Sequence, residues 1–228
     1  MNILITSGGT SEKIDQVRSI TNHSTGQLGK IISERFLEAG YSVTLVTTPT
    51  AVQPKEHPHL RRIFIKDVAE LQTVLEKETP THQVLIHAMA VSDYSPVYMS
   101  GFQAVKEASN LEHFLHQTNQ ESKISSEEDY QVLFLKKNPK LISLVKTWNP
   151  DIRLIGFKLL VDVAQDQLLA VARASLEKNQ AEMIVANDLS DIQNGKHRAY
   201  LVTKDATQIA ETKLDIAQKI YHHIINKG

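Results

Sequence analysis

A segment rich in glycine, hydroxyl and amide side chains near the start of the chain is the first place where chemistry is expected. Residues 6–29 read TSGGTSEKIDQVRSITNHSTGQLG and follow a short apolar run. Glycine lets backbone N–H groups approach a phosphate closely, and a helix N-terminus after the segment favours an anion. The spacing is neither the dinucleotide fingerprint G-x-G-x-x-G nor a P-loop. Gly8, Gly9, Gly26 and Gly29 therefore indicate phosphate binding, with a glycine-rich turn that binds no ligand as the alternative.

Four polar residues stand directly before Gly26. Asn22, His23, Ser24 and Thr25 precede the start of a predicted helix. Capping of a helix needs one such side chain rather than four. The cluster therefore favours a role in ligand binding for the others.

Further candidate groups follow later strands. Asp93 comes after the predicted fourth strand, where it could accept hydrogen bonds from a ligand amide or base, and an aspartate in a turn is the equal alternative. Lys123 lies in a long polar segment from which it could reach a triphosphate, although most loop lysines are solvated charges. Asn138 and Pro139 predict a helix start, with Asn138 as the cap. The ten histidines show no metal-ligand spacing, and no Ser-His-Asp motif can be picked out.

The elements that must position these groups alternate between short β-rich runs and helical patterns. This alternation predicts an α/β fold with a mostly parallel sheet and flanking helices, in which ligands bind beyond the carboxyl ends of the strands. A polar segment at about 95–130 without a convincing strand is predicted to be a long flap loop, and about 197–212 a small β-hairpin addition. The predicted strands are 2–6, 42–46, 62–65, 83–87, 130–135, 154–157, 183–186 and 199–202, and the predicted helices are 29–39, 68–78, 139–148, 165–179 and 214–225.

The composition excludes several classes of protein. Among 228 residues, 25 are basic and 26 acidic, so no charge excess favours nucleic acid or an anionic membrane as a partner. No cysteine is present, which excludes disulfides, thiolate metal sites and a cysteine nucleophile. The N-terminus lacks the features of a signal peptide, and no run approaches the ~20 apolar residues of a membrane span. We expect a cytoplasmic protein.

The same motifs resemble the phosphopantothenoylcysteine synthetase family, the synthetase half of the bifunctional flavoprotein of coenzyme A biosynthesis. The resemblance runs nearly end to end. It comprises the segment 6–29, AVSDY at 90–94, KNPKLI at 137–142, GFKLLVD at 156–162 and IVANDLS at 184–190. It implies a Rossmann-like fold, with residues 1–228 as a single synthetase domain. No segment resembles the flavin-binding decarboxylase half, so FMN is not expected.

The resemblance also implies a ligase reaction in two steps. The carboxylate of 4'-phosphopantothenate attacks the α-phosphate of a nucleoside triphosphate, and the amine of L-cysteine then displaces the nucleoside monophosphate. Asn22 and Lys123 are the implied catalytic residues, with Asn22 holding the activated carboxylate and Lys123 the transferring phosphate. The implied substrate-binding residues are Arg18, Asn22, Ser24, Gly26, Met89, Ala90 and Asp93. The implied nucleotide-binding residues are Gly8, Gly9, His87, Ala88, Met89, Asp93, Lys123, Pro139, Lys140, Leu141, Ile142, Phe157, Arg173 and Lys178.

Partners follow from the same resemblance. Mg²⁺ is implied as the cofactor without assigned ligands, and CTP is favoured over ATP as the cosubstrate. Arg18 is implied to reach the substrate phosphate from a neighbouring subunit, which predicts an obligate homodimer with a shared active site, with the hairpin addition used for dimer contact. Two alternatives stay open. A nicotinamide-dependent oxidoreductase would need the missing G-x-G-x-x-G loop, and a non-catalytic nucleotide-binding protein would have no need of Asn22, Asp93 and Lys123 together.

Overall fold

The computed structural model describes residues 1–119, 124, 128–192 and 197–226. Twelve strands and six α-helices are found in these residues, with short 3-10 turns between some of them. The strands are β1 Asn2–Ser7, β2 Ser11–Lys13, β3 Ser19–Thr21, β4 Ser42–Thr47, β5 Leu60–Phe64, β6 Val84–His87, β7 Tyr94–Gly101, β8 Gln131–Lys137, β9 Arg153–Leu160, β10 Met183–Asp188, β11 Ala199–Val202 and β12 Thr207–Ala210. The helices are α1 Gln27–Glu38, α2 Val68–Glu78, α3 Phe102–Glu107, α4 Val145–Trp148, α5 Gln165–Lys178 and α6 Lys213–Asn226.

Eight of these strands form one central sheet in the order β12-β11-β10-β9-β6-β1-β4-β5. The six strands from β10 to β5 run parallel, and β11 and β12 are added antiparallel at one edge. The predicted mostly parallel sheet with flanking helices is therefore confirmed. From β1 the chain adds β4 and β5 on one side of the sheet and then returns to add β6, β9 and β10 on the other side. The strand order therefore reverses between β1 and β6. Ligands of open parallel sheets bind at such a reversal, beyond the carboxyl ends of the strands.

Helices cover both faces of the sheet. Strand β1 shows how the sequence achieves this, because Leu4 packs into the layer with α2 and α5, while Ile3 and Ile5 pack into the layer with α1 and α6. A parallel strand buried on both faces reads as a continuous apolar run, as NILI does. The site described below therefore stands on a rigid, fully packed base.

The predicted flap is partly a β-ribbon, which differs from the expected strandless loop. Strand β7 pairs antiparallel with β8 in a separate two-stranded sheet. Phe114 stacks on Phe134 and on Tyr98, with ring centroids 5.1 and 6.0 Å apart. These contacts join residues far apart in the chain, so the local pattern of the YSPVYMSG segment gave no sign of a strand.

Two other local predictions are corrected. The helix expected at 139–148 is a 3-10 turn at Leu141–Leu144 followed by the short α4. Asn138 does not cap it, because its Nδ2 donates to the carbonyl oxygen of Ser92 and its Oδ1 accepts from the Ser95 hydroxyl, at 3.0 and 2.9 Å. The hairpin predicted at 197–212 is present as β11 and β12, and it extends the central sheet. Its use in a dimer contact stays a prediction.

Among the described residues, no helix combines the length and the apolar character needed to cross a bilayer.

Candidate functional site

A cavity of about 390 Å³ opens beyond the carboxyl end of β6 and beside the middle of β9. It brings together four segments that are separate in the chain: the end of β6 with the loop after it, the turn before α4, the middle of β9, and one face of α5. It unites nine of the predicted nucleotide-binding residues. They are His87, Met89, Asp93, Pro139, Lys140, Leu141, Ile142, Phe157 and Lys178.

Charge in this first cavity is mainly positive. Lys140, Lys158 and Lys178 line it, and Asp93 is the one carboxylate among its lining residues. The Lys140 ammonium forms an ion pair with the Asp93 carboxylate, and both side chains are more than half exposed. An exposed pair of this kind contributes little to stability and is readily exchanged for another partner. Lys158 and Lys178 are therefore available to an anionic ligand in the cavity. Lys140 becomes available once its ion pair with Asp93 is broken.

The loop after β6 is tied to the loop after β1. The Ala90 N–H donates to the Gly8 carbonyl at 2.9 Å, and the Thr10 N–H donates to the Ala90 carbonyl at 3.0 Å. The Thr10 hydroxyl in turn accepts from the Ser92 N–H at 2.9 Å. The Met89 N–H donates to the Thr6 hydroxyl at 3.2 Å. The backbone N–H groups of Met89 and Ala90 are thus already used inside the protein, and this strand end is held rigid.

The glycines of the first segment are used for close packing. A Cβ on Gly9 would lie 2.4 Å from the Asn22 carbonyl oxygen, and a Cβ on Gly29 would lie 2.3 Å from the Ser7 hydroxyl. Gly8 and Gly26 have φ of +90° and +75°, a region that suits glycine. Gly9 in this way lets the segment after β3, which bears Asn22, lie directly against the loop after β1.

One residue of the polar cluster before α1 contacts the start of that helix. Gly26, rather than one of the four polar residues, is the N-cap residue and brings no side-chain hydrogen bond, but the Thr25 hydroxyl accepts the N–H of Gln27, the first helical residue, at 3.3 Å. Asn22 and Ser24 are exposed, whereas Gly26 is buried. The side chains of Asn22 and Ser24 are therefore open to a ligand.

A second cavity, of about 380 Å³, lies under the hairpin formed by β2 and β3. Lys13, Arg18 and Lys66 supply cations to its lining, together with hydroxyls from residues such as Ser11 and Thr48. Gly9, in the loop after β1, lines this cavity but not the first one. The second cavity suits a ligand with an anionic group.

Arg18 is held within its own chain by Asp15. Its Nε and Nη2 donate to Asp15 Oδ2 at 3.0 and 2.6 Å, and Nη2 also donates to the Ile124 carbonyl at 3.0 Å. The hydrogen bond from Arg18 holds the pKa of the Asp15 carboxyl well below its usual range, and the backbone N–H groups of Val17, Arg18 and Ile124 add to this effect. Asp15 therefore stays ionised and fixes the guanidinium in one orientation.

Several predicted residues lie outside the two cavities. Arg173 is exposed on α5 and does not line the first cavity. A different face of this helix lines the cavity, through Val171, Ala174, Ser175 and Lys178. Ala88 is half-buried between two cavity residues. Lys123 lies outside the described residues.

Other cavity residues were not predicted. Lys158, Ser175 and Asn179 line the first cavity, and Lys13 and Lys66 the second. Lys158 stands inside the GFKLLVD motif, so its place two residues after Gly156 was a usable signal. The α5 residues carry no such signal, because only packing decides which face of the helix meets the cavity.

Metal binding by the protein alone has little support in this geometry. Within the part of the chain that the structure describes, no three His, Cys, Asp or Glu side chains come together to hold a metal ion. Mg²⁺ is commonly held by one or two carboxylates together with substrate phosphates. Asp93 fits that pattern, so a magnesium ion here would be bound largely by a nucleotide.

Comparison with known proteins gives a consistent result. The family model of the DNA/pantothenate metabolism flavoprotein C-terminal domain matches residues 1–118 and 104–227. The coenzyme A biosynthesis bifunctional protein CoaBC of Thermococcus kodakarensis is 30% identical over 226 residues, which is 97% of this chain and 50% of that protein. The chain thus spans about half the length of the curated relatives it matches.

Solved structures agree with this match. The crystal structure of the DNA/pantothenate metabolism flavoprotein from Streptococcus pneumoniae is 55% identical, covers both chains completely and superposes with a TM-score of 0.96. The crystal structure of the C-terminal domain of a coenzyme A biosynthesis bifunctional protein CoaBC is 26% identical, with a TM-score of 0.71 over 98% of this chain and 93% of that one.

Proposed function

We propose that this chain, which belongs to the DNA/pantothenate metabolism flavoprotein C-terminal domain family, joins 4'-phosphopantothenate to L-cysteine at the expense of a nucleoside triphosphate. The observation that carries the proposal is the first cavity. It combines three lysines, one carboxylate and an apolar wall with Phe157 beyond the carboxyl end of β6, the strand next to the reversal of strand order. Lysines suit a triphosphate and the apolar wall suits a base.

The reaction proceeds in two displacements. A carboxylate oxygen of phosphopantothenate attacks the α-phosphorus of the nucleotide, the bond to the bridging oxygen breaks, and pyrophosphate leaves. The cysteine amine then attacks the acyl carbon, loses a proton, and expels the nucleoside monophosphate. Neither step needs a protein nucleophile. The protein has to hold the reactants together and neutralise the charge that develops on phosphate oxygens.

The residues fall into two groups in this scheme. Lys140, Lys158 and Lys178 bind the triphosphate in the first cavity, and Phe157 contacts the base. Asn22 is exposed beside Gly9, a residue that lines the second cavity, and its amide holds the carboxylate that is activated. Lys123 stabilises the phosphate that is transferred.

The phosphate of phosphopantothenate binds in the second cavity of one chain of a homodimer, at Arg18 of that chain. The carboxylate of the same substrate lies at Asn22 of the other chain, so each active site draws on two chains. Asp93 would hold Mg²⁺ together with the phosphates of the nucleotide, and the ion would supply positive charge there. CTP is favoured over ATP as the cosubstrate. The protein acts in the cytoplasm, and it needs neither FMN, nucleic acid nor a membrane.

The test is pyrophosphate release by the purified chain with Mg²⁺. CTP and ATP are compared, each with and without phosphopantothenate and cysteine. Release that requires phosphopantothenate, is greater with CTP, and continues to product only with cysteine is the expected result. No release with either nucleotide, from protein whose circular dichroism shows it folded, would contradict the proposal and favour a nucleotide-binding protein without ligase activity.

A further inference from the structure

His87 stands at the innermost wall of the first cavity. It is the last residue of β6 and pairs with Gly156 of β9, so the neighbouring residue on that strand is Phe157. Its side chain is buried except for a small area, and it lines the cavity. His87 and Phe157, the residue proposed to contact the base, therefore line the same cavity.

The hydroxyl of Thr6 determines which ring nitrogen of His87 carries the proton. Thr6 Oγ1 lies 2.9 Å from His87 Nδ1, and the same oxygen accepts the Met89 N–H at 3.2 Å. A hydroxyl has one proton to donate. Within the described structure, His87 Nδ1 is the acceptor that it contacts. Nδ1 therefore accepts, and the proton of the neutral ring lies on Nε2.

The Nε2 atom is the ring nitrogen left for a ligand. No hydrogen-bond partner for it is found among the described residues, and the open space next to His87 is the first cavity. The N–H group on this atom points at whatever the cavity binds.

The ring also stays neutral. Burial lowers the pKa of His87 from its ordinary value of 6.5 to about 4. At neutral pH the side chain is therefore a hydrogen-bond donor without a charge. Phosphate groups are better served by the lysines of the cavity, because charged donors make the stronger bonds to them.

We propose that His87, held in one tautomer by Thr6, is a specificity-determining residue that donates from Nε2 to an acceptor atom of the bound nucleobase. This inference rests on the proposed nucleotide site but not on turnover. The donor favours a base that presents a carbonyl oxygen or an unprotonated ring nitrogen to it. A base that turns an amino group toward the same point leaves two donors facing each other, which costs binding energy.

The tautomer can be measured directly on the free protein. Two-dimensional ¹⁵N–¹H NMR of the histidine rings at neutral pH is expected to show His87 with a protonated Nε2 and an unprotonated Nδ1. A doubly protonated ring, or a proton on Nδ1, would overturn the inference. Thr6→Val removes the donor to Nδ1 and is expected to produce a mixture of tautomers, with retained folding checked by circular dichroism.

Recognition is tested by calorimetric binding without cosubstrates. His87→Leu is expected to weaken CTP binding about tenfold, the effect of one hydrogen bond of about 1.4 kcal/mol. His87→Gln keeps an N–H donor and is expected to recover most of this loss. Inorganic triphosphate is expected to bind wild type and His87→Leu equally. His59→Leu, at the opposite end of the sheet before β5, is the matched control.

The possible failures can be told apart. Equal CTP affinity in wild type and His87→Leu overturns the inference, and so does an equal loss for CTP and inorganic triphosphate, which would mean that His87 acts on phosphate. If wild type binds CTP and His87→Leu does not, while neither releases pyrophosphate, the recognition role stands and the proposed ligase activity fails.

Discussion

Arg18 and Asp15 form a fixed ion pair in the turn between β2 and β3, in which two guanidinium nitrogens donate to one carboxylate oxygen. The Asp15 side chain is fully buried, whereas that of Arg18 is 37% exposed. Nη1 of Arg18 makes no hydrogen bond within the described residues, so one edge of the guanidinium remains available. The Arg18 guanidinium is therefore held in a fixed orientation at the second cavity. The Asp15 carboxylate offsets part of its positive charge.

Arg18→Ala is expected to raise the KM for phosphopantothenate by about tenfold or more, because a charge-assisted hydrogen bond to phosphate is lost. The KM for nucleotide is expected to change little, since Arg18 does not line the first cavity. Steady-state pyrophosphate release with each substrate varied in turn measures both values. Exposed Lys77 of α2 offers a control, as Lys77→Ala. An unchanged phosphopantothenate KM in Arg18→Ala would remove Arg18 from the substrate site.

The proposed shared active site predicts complementation between two impaired variants, assayed with phosphopantothenate well below its wild-type KM. Arg18→Ala and Asn22→Ala each damage both sites of a homodimer. If the two residues of one site come from different chains, a mixed dimer contains one intact site. Unfolding and refolding an equal mixture is then expected to restore about a quarter of wild-type activity, because half of the dimers are mixed and half of their sites are intact. Each variant refolded alone is the control. If the refolded mixture shows only the average of the two variants' own activities, the shared site is contradicted. A molar mass of one chain, measured by light scattering on the active protein, would contradict it as well.

Lys123→Ala is expected to lower turnover by two orders of magnitude or so, with the fold retained, as for other donors that act on developing charge. Lys123 lies outside the described residues, so this prediction rests on the family resemblance alone. Single-turnover pyrophosphate release separates the chemical step from product release. The adjacent polar segment supplies a control in Lys106→Ala on α3. Wild-type release rates in Lys123→Ala would show that this lysine is only a surface charge.

Gly9→Ala tests whether close packing positions Asn22. The added Cβ would meet the Asn22 carbonyl oxygen at 2.4 Å, so the segment after β3 that bears Asn22 has to move. We expect a loss of about 1–3 kcal/mol in the free energy of unfolding, together with a larger fall in kcat than in nucleotide affinity. Denaturant unfolding and calorimetry measure these effects. Gly40→Ala is the control, because Gly40 has a positive φ but open space around it, so its substitution carries only the backbone strain. Full activity in Gly9→Ala would mean that the position of Asn22 is not critical.

Helix α2 shows where the sequence was sufficient. Residues Val68–Glu78 form a helix with the predicted bounds, because Val68, Leu71 and Leu75 are apolar at helical spacing and all of them are buried. Asp67 caps the helix by accepting the N–H of Glu70 at 2.9 Å. Such signals lie within one turn of the element that they specify. Strands with continuous apolar runs were predicted for the same reason.

The hairpin of β2 and β3 shows where local reasoning failed. Its strands are three residues each, and they are joined by a contact between the Ser11 and Ser19 hydroxyls at 2.8 Å and by the Asp15–Arg18 pair. Polar strands this short have no hydrophobic period. The candidate site was predicted better than this hairpin, because its residues follow buried strands and share one edge of the sheet.

His223 makes a contact that the helical pattern does not predict. Although it is a polar residue of the amphipathic C-terminal helix, its side chain is only 13% exposed and Nε2 lies 2.7 Å from Glu182 Oε1. The contact joins α6 to the loop before β10. The amphipathic pattern of α6 predicts which residues form its apolar face. It does not predict which polar residues of the helix contact a neighbouring loop.

Acid is expected to destabilise the protein through Glu182. Arg153 donates to both oxygens of this carboxylate, at 2.7 and 2.8 Å. Burial alone would raise the pKa of Glu182, but hydrogen bonds from Arg153 and His223 outweigh it and lower the pKa from 4.5 to about 2. A carboxyl whose pKa is lowered in the folded state stabilises the fold above its unfolded pKa, and this stabilisation disappears as the pH falls toward the folded pKa. The contribution of Glu182 is therefore present at pH 7 and lost between about pH 4.5 and 2.

Other carboxylates with lowered pKa values also contribute to acid denaturation, so the test compares wild type with Glu182→Gln. At pH 7 the variant is expected to unfold with a free energy about 1–3 kcal/mol smaller, because the guanidinium of Arg153 loses its charged partner. Arg153 keeps its bond to the Ile224 carbonyl at 2.7 Å, which limits the loss. As the pH falls below 4.5, wild type loses this advantage, and the difference in Tm between the two proteins is expected to shrink. A difference in Tm that stays constant from pH 7 to pH 3 would show that the charge of Glu182 does not stabilise the fold.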